Sequence, residues 1–248
     1  MLGLPDAVQA CLFDLDGVLT RTAVVHAAAW ELMLDEYLRQ RARRTGEPYV
    51  PFTPADYARY VDGRPRADGV RSFLASRGIA LPEGQPGDRS QEGAETVIGL
   101  GDRKNELVQR MIAERGVDAY EGSVRYVEAV REAGLRTAVV SSSSNCREVL
   151  RAAAIEHLFD AVIDGVAAEQ RGLRGKPAPD TFLAGAEALG TAPAHAAVFE
   201  DSLAGVAAGR AGGFAFVVGV DRVGQREALL ASGADIVVSD LAELLGGA

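Results

Sequence analysis

The chain has 248 residues, 48% apolar and 25% charged, with a formal net charge of −9. That is enough for one large domain or two small ones, and the acidic balance argues against non-specific binding to nucleic acid or an anionic membrane, though not against an anionic substrate in a locally basic pocket. The two cysteines, Cys11 and Cys146, are far apart and in no CxxC spacing, which excludes a disulfide-dense scaffold and a thiolate metal site and leads us to expect a reduced, cytoplasmic protein.

The opening residues, MLGLPDAVQA, carry no basic region ahead of an apolar stretch, so no secretory signal is expected, and no run approaches the length of a membrane span. Next, ACLFDLD (residues 10–16) reads as a short buried strand running into two acids, Asp14 and Asp16. At alternating spacing the two carboxylates should point the same way.

Residues 22–117 have another character. VVHAAAWELMLDEYLRQRARR is a long amphipathic helix, followed by a Pro-rich loop, GEPYVPFTP. Helical pieces ADYARYV, ADGVRSFLASRG and KNELVQRMIAERG come after it, so that Arg64 and Arg66 fall in a Gly/Pro loop and Lys104-Asn105 begin a helix. Residues 82–95, rich in Gly, Pro and acids, read as a loop.

From residue 135 onward, short apolar runs alternate with helical patterns. LRTAVVSSSS, FDAVIDG, HAAVFEDS, GFAFVVGV and ADIVVSD are the strands; CREVLRAAAI, DTFLAGAEALG, SLAGVAAGRAG and QREALLASG are the helices. Alternation of this kind implies parallel strands joined by crossovers, hence an open α/β sheet with ACLFDLD as one member and a mainly helical insert after it.

Ligands of such sheets bind outside the carboxyl ends of the strands. Asp14 and Asp16 sit at one such end; Glu200 and Asp201 of FEDS sit at another. Like charges repel unless a cation lies between them or one holds a proton, and a cluster of hard oxygen ligands suits Mg²⁺. Taken singly, Asp16-Gly17 is ordinary turn chemistry and Asp201-Ser202 an ordinary helix N-cap. Two more features point to phosphate: the serine run 141–144 between strand and helix, and Lys176 framed by prolines in RGKPAPD. His157 and His195 have no motif around them, and GRAGGF reads as a helix C-cap.

DLDGV, the strand-end serine, KPAPD and FEDS, in that order, resemble the four motifs of the haloacid dehalogenase superfamily of phosphotransferases. TRTAVVHAAAW, DGRPRADGV and GLGDRKNELV extend the likeness to its β-phosphoglucomutase subgroup. The resemblance implies a Rossmann-like core of residues 1–21 and 118–248 with a parallel sheet, and a helical cap of residues 22–117 inserted after the first strand. It implies Asp14 as nucleophile forming an aspartyl-phosphate, Asp16 as general acid and base, and Lys176 as the cation that screens them. Mg²⁺ would bind the Asp14 carboxylate, the Asp16 carbonyl and Asp201, with Glu200 assisting through water. Ser141 and the Ser142 N–H would hold phosphoryl oxygens. Arg66 matches a cap arginine for the non-transferring phosphate, with Ser143 and Asn145 on the core side of that distal site. His26 and Lys104 match positions linked to proton control and sugar contact, and Thr22 a hinge position. Ser144 stands where the subgroup can carry a lysine; Arg64 or Arg147 could restore that cation. The implied reaction interconverts β-glucose 1-phosphate and glucose 6-phosphate; a sugar-phosphate phosphatase is the alternative, and a non-catalytic phosphosugar sensor a weaker one. A monomer acting on a small sugar phosphate is expected.

Overall fold

The computed structural model describes residues 2–85, 87–88 and 95–246. Part of the expected loop 82–95 lies outside the described residues. In chain order the elements are β1 (Ala10–Phe13), α1 (Ala23–Thr45), α2 (Pro54–Asp56), α3 (Arg66–Ser76), α4 (Val97–Arg115), α5 (Glu121–Glu132), β2 (Arg136–Val140), α6 (Cys146–Ala152), β3 (Ala161–Ile163), α7 (Gly165–Gln170), α8 (Asp180–Ala188), β4 (Ala196–Glu200), α9 (Leu203–Ala211), β5 (Phe216–Val220), α10 (Arg226–Ser232) and β6 (Ile236–Val238). They fall into two compact units, one of residues 1–22 and 117–248 and one of residues 23–116.

The first unit is built on one parallel sheet in the order β3-β2-β1-β4-β5-β6. The order reverses between β1 and β4, the switch point at which an α/β sheet of this kind opens a ligand crevice. β1 is buried at every residue, as a central strand covered on both faces must be. On one face Leu12, Val140 and Val198 pack with Phe182 and Val206. Gly185 permits this approach, since a Cβ there would come within 2.7 Å of Leu12. On the other face Phe13 stacks on Phe199 with ring centroids 4.5 Å apart and meets Tyr126 edge-on at 6.4 Å.

The second unit packs α1 around Trp30, Met33, Leu34 and Tyr37 against Val70, Phe73 and Leu100. Two helix starts differ from those expected. The Thr96 hydroxyl accepts the Gly99 N–H and starts α4 at Val97, so Lys104 lies inside a helix rather than opening one. Arg66 is the first residue of α3, directly after Pro65, rather than a loop residue. The segment ADYARYV is helical, but its second part, Tyr57–Val61, is a π-turn.

The chain leaves and re-enters the first unit through two segments that pair with each other. The Arg21 N–H donates to the Asp118 carbonyl at 2.8 Å and the Tyr120 N–H to that of Leu19 at 2.9 Å. Among the described residues no helix is long and apolar enough to cross a membrane.

Candidate active site

Strand register brings the charged residues together. Phe13 lies opposite Val139 on one side and Phe199 on the other. The next residues along the three strands are therefore Asp14, Val140 and Glu200, side by side at the carboxyl edge. The Asp14 N–H still pairs with the Phe199 carbonyl at 2.9 Å. Lys176 reaches all three strand ends from the loop before α8. Its ammonium donates to Asp14 Oδ1 at 2.6 Å, to the Val140 carbonyl at 3.2 Å and to Glu200 Oε1. It also lies 4.9 Å from the centre of the Phe182 ring. The lysine is 2% exposed and Glu200 0%, which sets this ammonium apart from a solvated surface charge.

Burial away from water pushes the Asp14 carboxyl well above the ordinary carboxylate range; Lys176 pulls it down, and Glu200 and Asp16 push it further up. For Lys176, burial alone favours loss of the proton, but Asp14 and Glu200 outweigh it and hold the ammonium above its usual range. One oxygen from each of Asp14, Glu200 and Asp201 lies within 4.8 Å of the others. Lys176 bonds two of these three carboxylates, Asp14 and Glu200, and the convergence of all three fits a divalent cation. The donors are all hard oxygens, which suits Mg²⁺ or Ca²⁺ rather than a thiolate-preferring metal.

Asp16 lies beyond the strand. β1 ends at Phe13, and Asp16 belongs to a turn in which the Gly17 N–H donates to the Thr20 carbonyl at 2.8 Å. The strand alternation expected to aim both acids the same way does not extend to it. Gly17 has φ of +90°, and a Cβ there would overlap the Asp201 carboxylate. Glycine is therefore required twice, for the left-handed backbone and for the close approach of the two acid loops. Thr22 belongs to the first unit, and its hydroxyl donates to Asp16 Oδ1 while sharing a 2.6 Å hydrogen bond with Thr20.

Ser202 caps α9, its hydroxyl accepting the Gly205 N–H at 3.0 Å. The Ser202 N–H and hydroxyl both donate to Glu200 Oε2 at 2.9 Å. Glu200 is therefore held through Oε2 by Ser202 and through Oε1 by Lys176, which fixes its place at the strand edge. Ser141 is buried, its hydroxyl accepting the Ser143 N–H at 3.1 Å, and the Ser143 hydroxyl accepts the Asn145 N–H at 3.2 Å. The serine run thus folds the loop between β2 and α6; Asn145, not a serine, is the N-cap of α6. Arg147 is engaged by Asp164 at 3.1 Å and by the Val162 carbonyl at 3.4 Å.

In the helical unit, Lys104 is 3% exposed, its ammonium 2.8 Å from His26 Nδ1 and 5.2 Å from the centre of the Trp30 ring. His26 and Trp30 of α1 thus have Lys104 of α4 as a common neighbour. Arg66 faces Asp102 at 3.8 Å. A cation in the first turn of a helix gains nothing from the helix dipole.

Two residues without a sequence motif reach the acid loops. The Arg222 Nε donates to the Gly17 carbonyl, and the Gln225 Nε2 to the Asp201 carbonyl, each at 2.9 Å. The usable signal was their place just after β5, a neighbour of β4 in a parallel sheet, where the rule for strand carboxyl ends also applies.

A family model for haloacid dehalogenase-like hydrolases matches residues 8–213. The chain belongs to this family. The β-phosphoglucomutase of Mycobacterium bovis is 56% identical over 99% of this chain and 94% of its own length. That of Bacillus subtilis is 31% identical over 96% and 92%. The solved β-phosphoglucomutase of Clostridium difficile shares the fold, with a TM-score of 0.72 at 24% identity over 96% of this chain and 93% of that one. The resemblance read from the four motifs is borne out, and the haloacid dehalogenase-like chain is an enzyme with the expected parallel-sheet α/β core.

Proposed function

We propose that this chain is a β-phosphoglucomutase, interconverting β-glucose 1-phosphate and glucose 6-phosphate by phosphoryl transfer through Asp14. The observation that carries the reading is the buried Lys176 ammonium shared by Asp14 and Glu200 beside Asp201. A carboxylate approaches a phosphate only where the charge of both is offset, and this edge is arranged for that. Likeness to proteins of that name over nearly the whole chain supports the choice of substrate.

Mg²⁺ fits the oxygen donors of Asp14 and Asp201, with the Asp16 main-chain carbonyl and Glu200 assisting, and bound there it would neutralise charge on the transferred group. Phosphorylated Asp14 gives its phosphoryl group to the 6-hydroxyl of β-glucose 1-phosphate, whose proton passes to Asp16. The bisphosphate turns end for end. Asp14 then takes the group from the 1-position, the bond from phosphorus to the sugar oxygen breaks, and Asp16 returns the proton to that oxygen. Thr22, bonded to Asp16, orients this acid. Ser141 and the Ser142 N–H hold the phosphoryl oxygens. In the first unit, Ser143 and Asn145 are offered to the phosphate that stays; in the helical unit, Arg66 is offered to a phosphate and the Lys104–His26 pair to sugar hydroxyls. Arg147 is engaged by Asp164, which counts against it as the replacement for the lysine absent at Ser144. The enzyme works as a cytoplasmic monomer on its small-molecule substrate.

Incubation with β-glucose 1-phosphate, Mg²⁺ and a trace of the bisphosphate tests this reading. Glucose 6-phosphate should accumulate without free phosphate. Glucose and free phosphate in its place would overturn the mutase in favour of a phosphatase.

A further inference from the structure

β5 lies beside β4, and the loop that leaves it, residues 221–225, follows the same carboxyl edge as the acids. Asp221 folds the loop upon itself. Its Oδ1 accepts the N–H groups of Val223 at 3.2 Å, Gly224 at 2.7 Å and Gln225 at 2.9 Å. From this fixed turn two side chains reach out, and each ends on a main-chain carbonyl of a different acid loop: Arg222 on Gly17, next to Asp16, and Gln225 on Asp201 itself.

Arg222 is itself immobilised. Its Nη1 donates to the Ser239 carbonyl at 2.6 Å, and its guanidinium lies 3.6 Å from the centre of the Tyr120 ring. A planar, multiply bonded guanidinium transmits its position to whatever it holds better than a flexible ammonium does. The two acid loops come from different parts of the chain and meet where Gly17 abuts the Asp201 carboxylate. One turn grips both.

We propose that Arg222 and Gln225 are positioning residues that hold the Asp16–Gly17 and Asp201 backbones at the separation at which Asp14 and Asp201 share one divalent cation. The proposal rests on the metal-dependent reading above for its use, and on the two carbonyl bonds for its content. Neither side chain is among the carboxylate donors grouped at this edge. They act as outer groups that orient ligands, whose loss typically weakens metal binding by roughly 10–100-fold.

The test is the Mn²⁺ dissociation constant of the metal-free protein, measured by electron paramagnetic resonance, for Gln225→Leu, Arg222→Met and Arg222→Lys, each with a thermal melt. Gln225→Leu should weaken Mn²⁺ binding by about tenfold with its melting temperature kept. Arg222→Met should weaken it at least as much, and Arg222→Lys should recover only part. At saturating metal the KM for β-glucose 1-phosphate should be unchanged, so that the defect is removed by adding metal. Wild-type Mn²⁺ affinity in Gln225→Leu would overturn the proposal, whether or not Arg222→Met folds. Weakened binding in a protein whose parent transfers no phosphoryl group would uphold the proposal and defeat the proposed function. An active parent with unaffected variants would do the reverse.

Discussion

Asp14→Asn is expected to lower turnover by on the order of 10⁴–10⁶-fold, the scale on which loss of a covalent nucleophile is felt. The substitution keeps the shape of the side chain and removes the attacking oxygen's charge. It also removes one of the two carboxylates that share the Lys176 ammonium, and burial already disfavours the ionised form of this one. The variant should therefore fold at least as well as the parent and still bind β-glucose 1-phosphate. Steady-state kinetics, calorimetric binding and a thermal melt check the three statements together. Retention of more than about a tenth of the parent turnover would remove Asp14 from its role.

Lys176→Met has the opposite signature, loss of stability together with loss of activity. Methionine fills a comparable volume beside Phe182, so packing is largely kept. The bonds to Asp14, Glu200 and the Val140 carbonyl go, and Glu200 is left fully buried without its cation. Removing one partner of a buried ion pair typically costs about 3–5 kcal/mol, because the other charge stays behind. Turnover should fall by roughly 10²–10³-fold as one stabilising charge leaves the reaction centre. Urea unfolding measures the first effect and kinetics on the folded fraction the second. An Asp14→Asn/Lys176→Met pair should lose less stability than Lys176→Met alone, since one buried carboxylate goes with the ammonium. Equal loss would show that Lys176 does not offset Asp14.

The sheet was legible because its strands are buried on both faces and stand out as short apolar runs between helical patterns. The acids were legible because register is regular: once Phe13 and Phe199 are neighbours, Asp14 and Glu200 must be. Local start signals were less legible. Pro65 follows Gly63 and Arg64 and reads as loop, yet the helix begins at the very next residue, Arg66. Gly99 and Gly101 hid the first turns of α4, although Thr96 stood as a cap three residues ahead of Gly99. Asp16 looked like strand because alternation continues through Leu15; the left-handed Gly17 turn ends the strand three residues earlier. Arg222 was the least legible. It meets Gly17 across 205 residues and bonds to a main-chain oxygen, which no side-chain motif records.

The central claim is that a buried carboxylate at position 14, its charge offset by Lys176 and a divalent cation, attacks phosphorus. Its most direct measurement is rapid quenching of the enzyme with isotopically labelled bisphosphate, followed by peptide mapping by mass spectrometry. The account predicts one labelled phosphoryl group, hydroxylamine-sensitive as an acyl phosphate must be, on the peptide containing Asp14 and only when Mg²⁺ is present. Label on the serines 141–144, or label on Asp14 that forms equally well with the metal chelated, would contradict it.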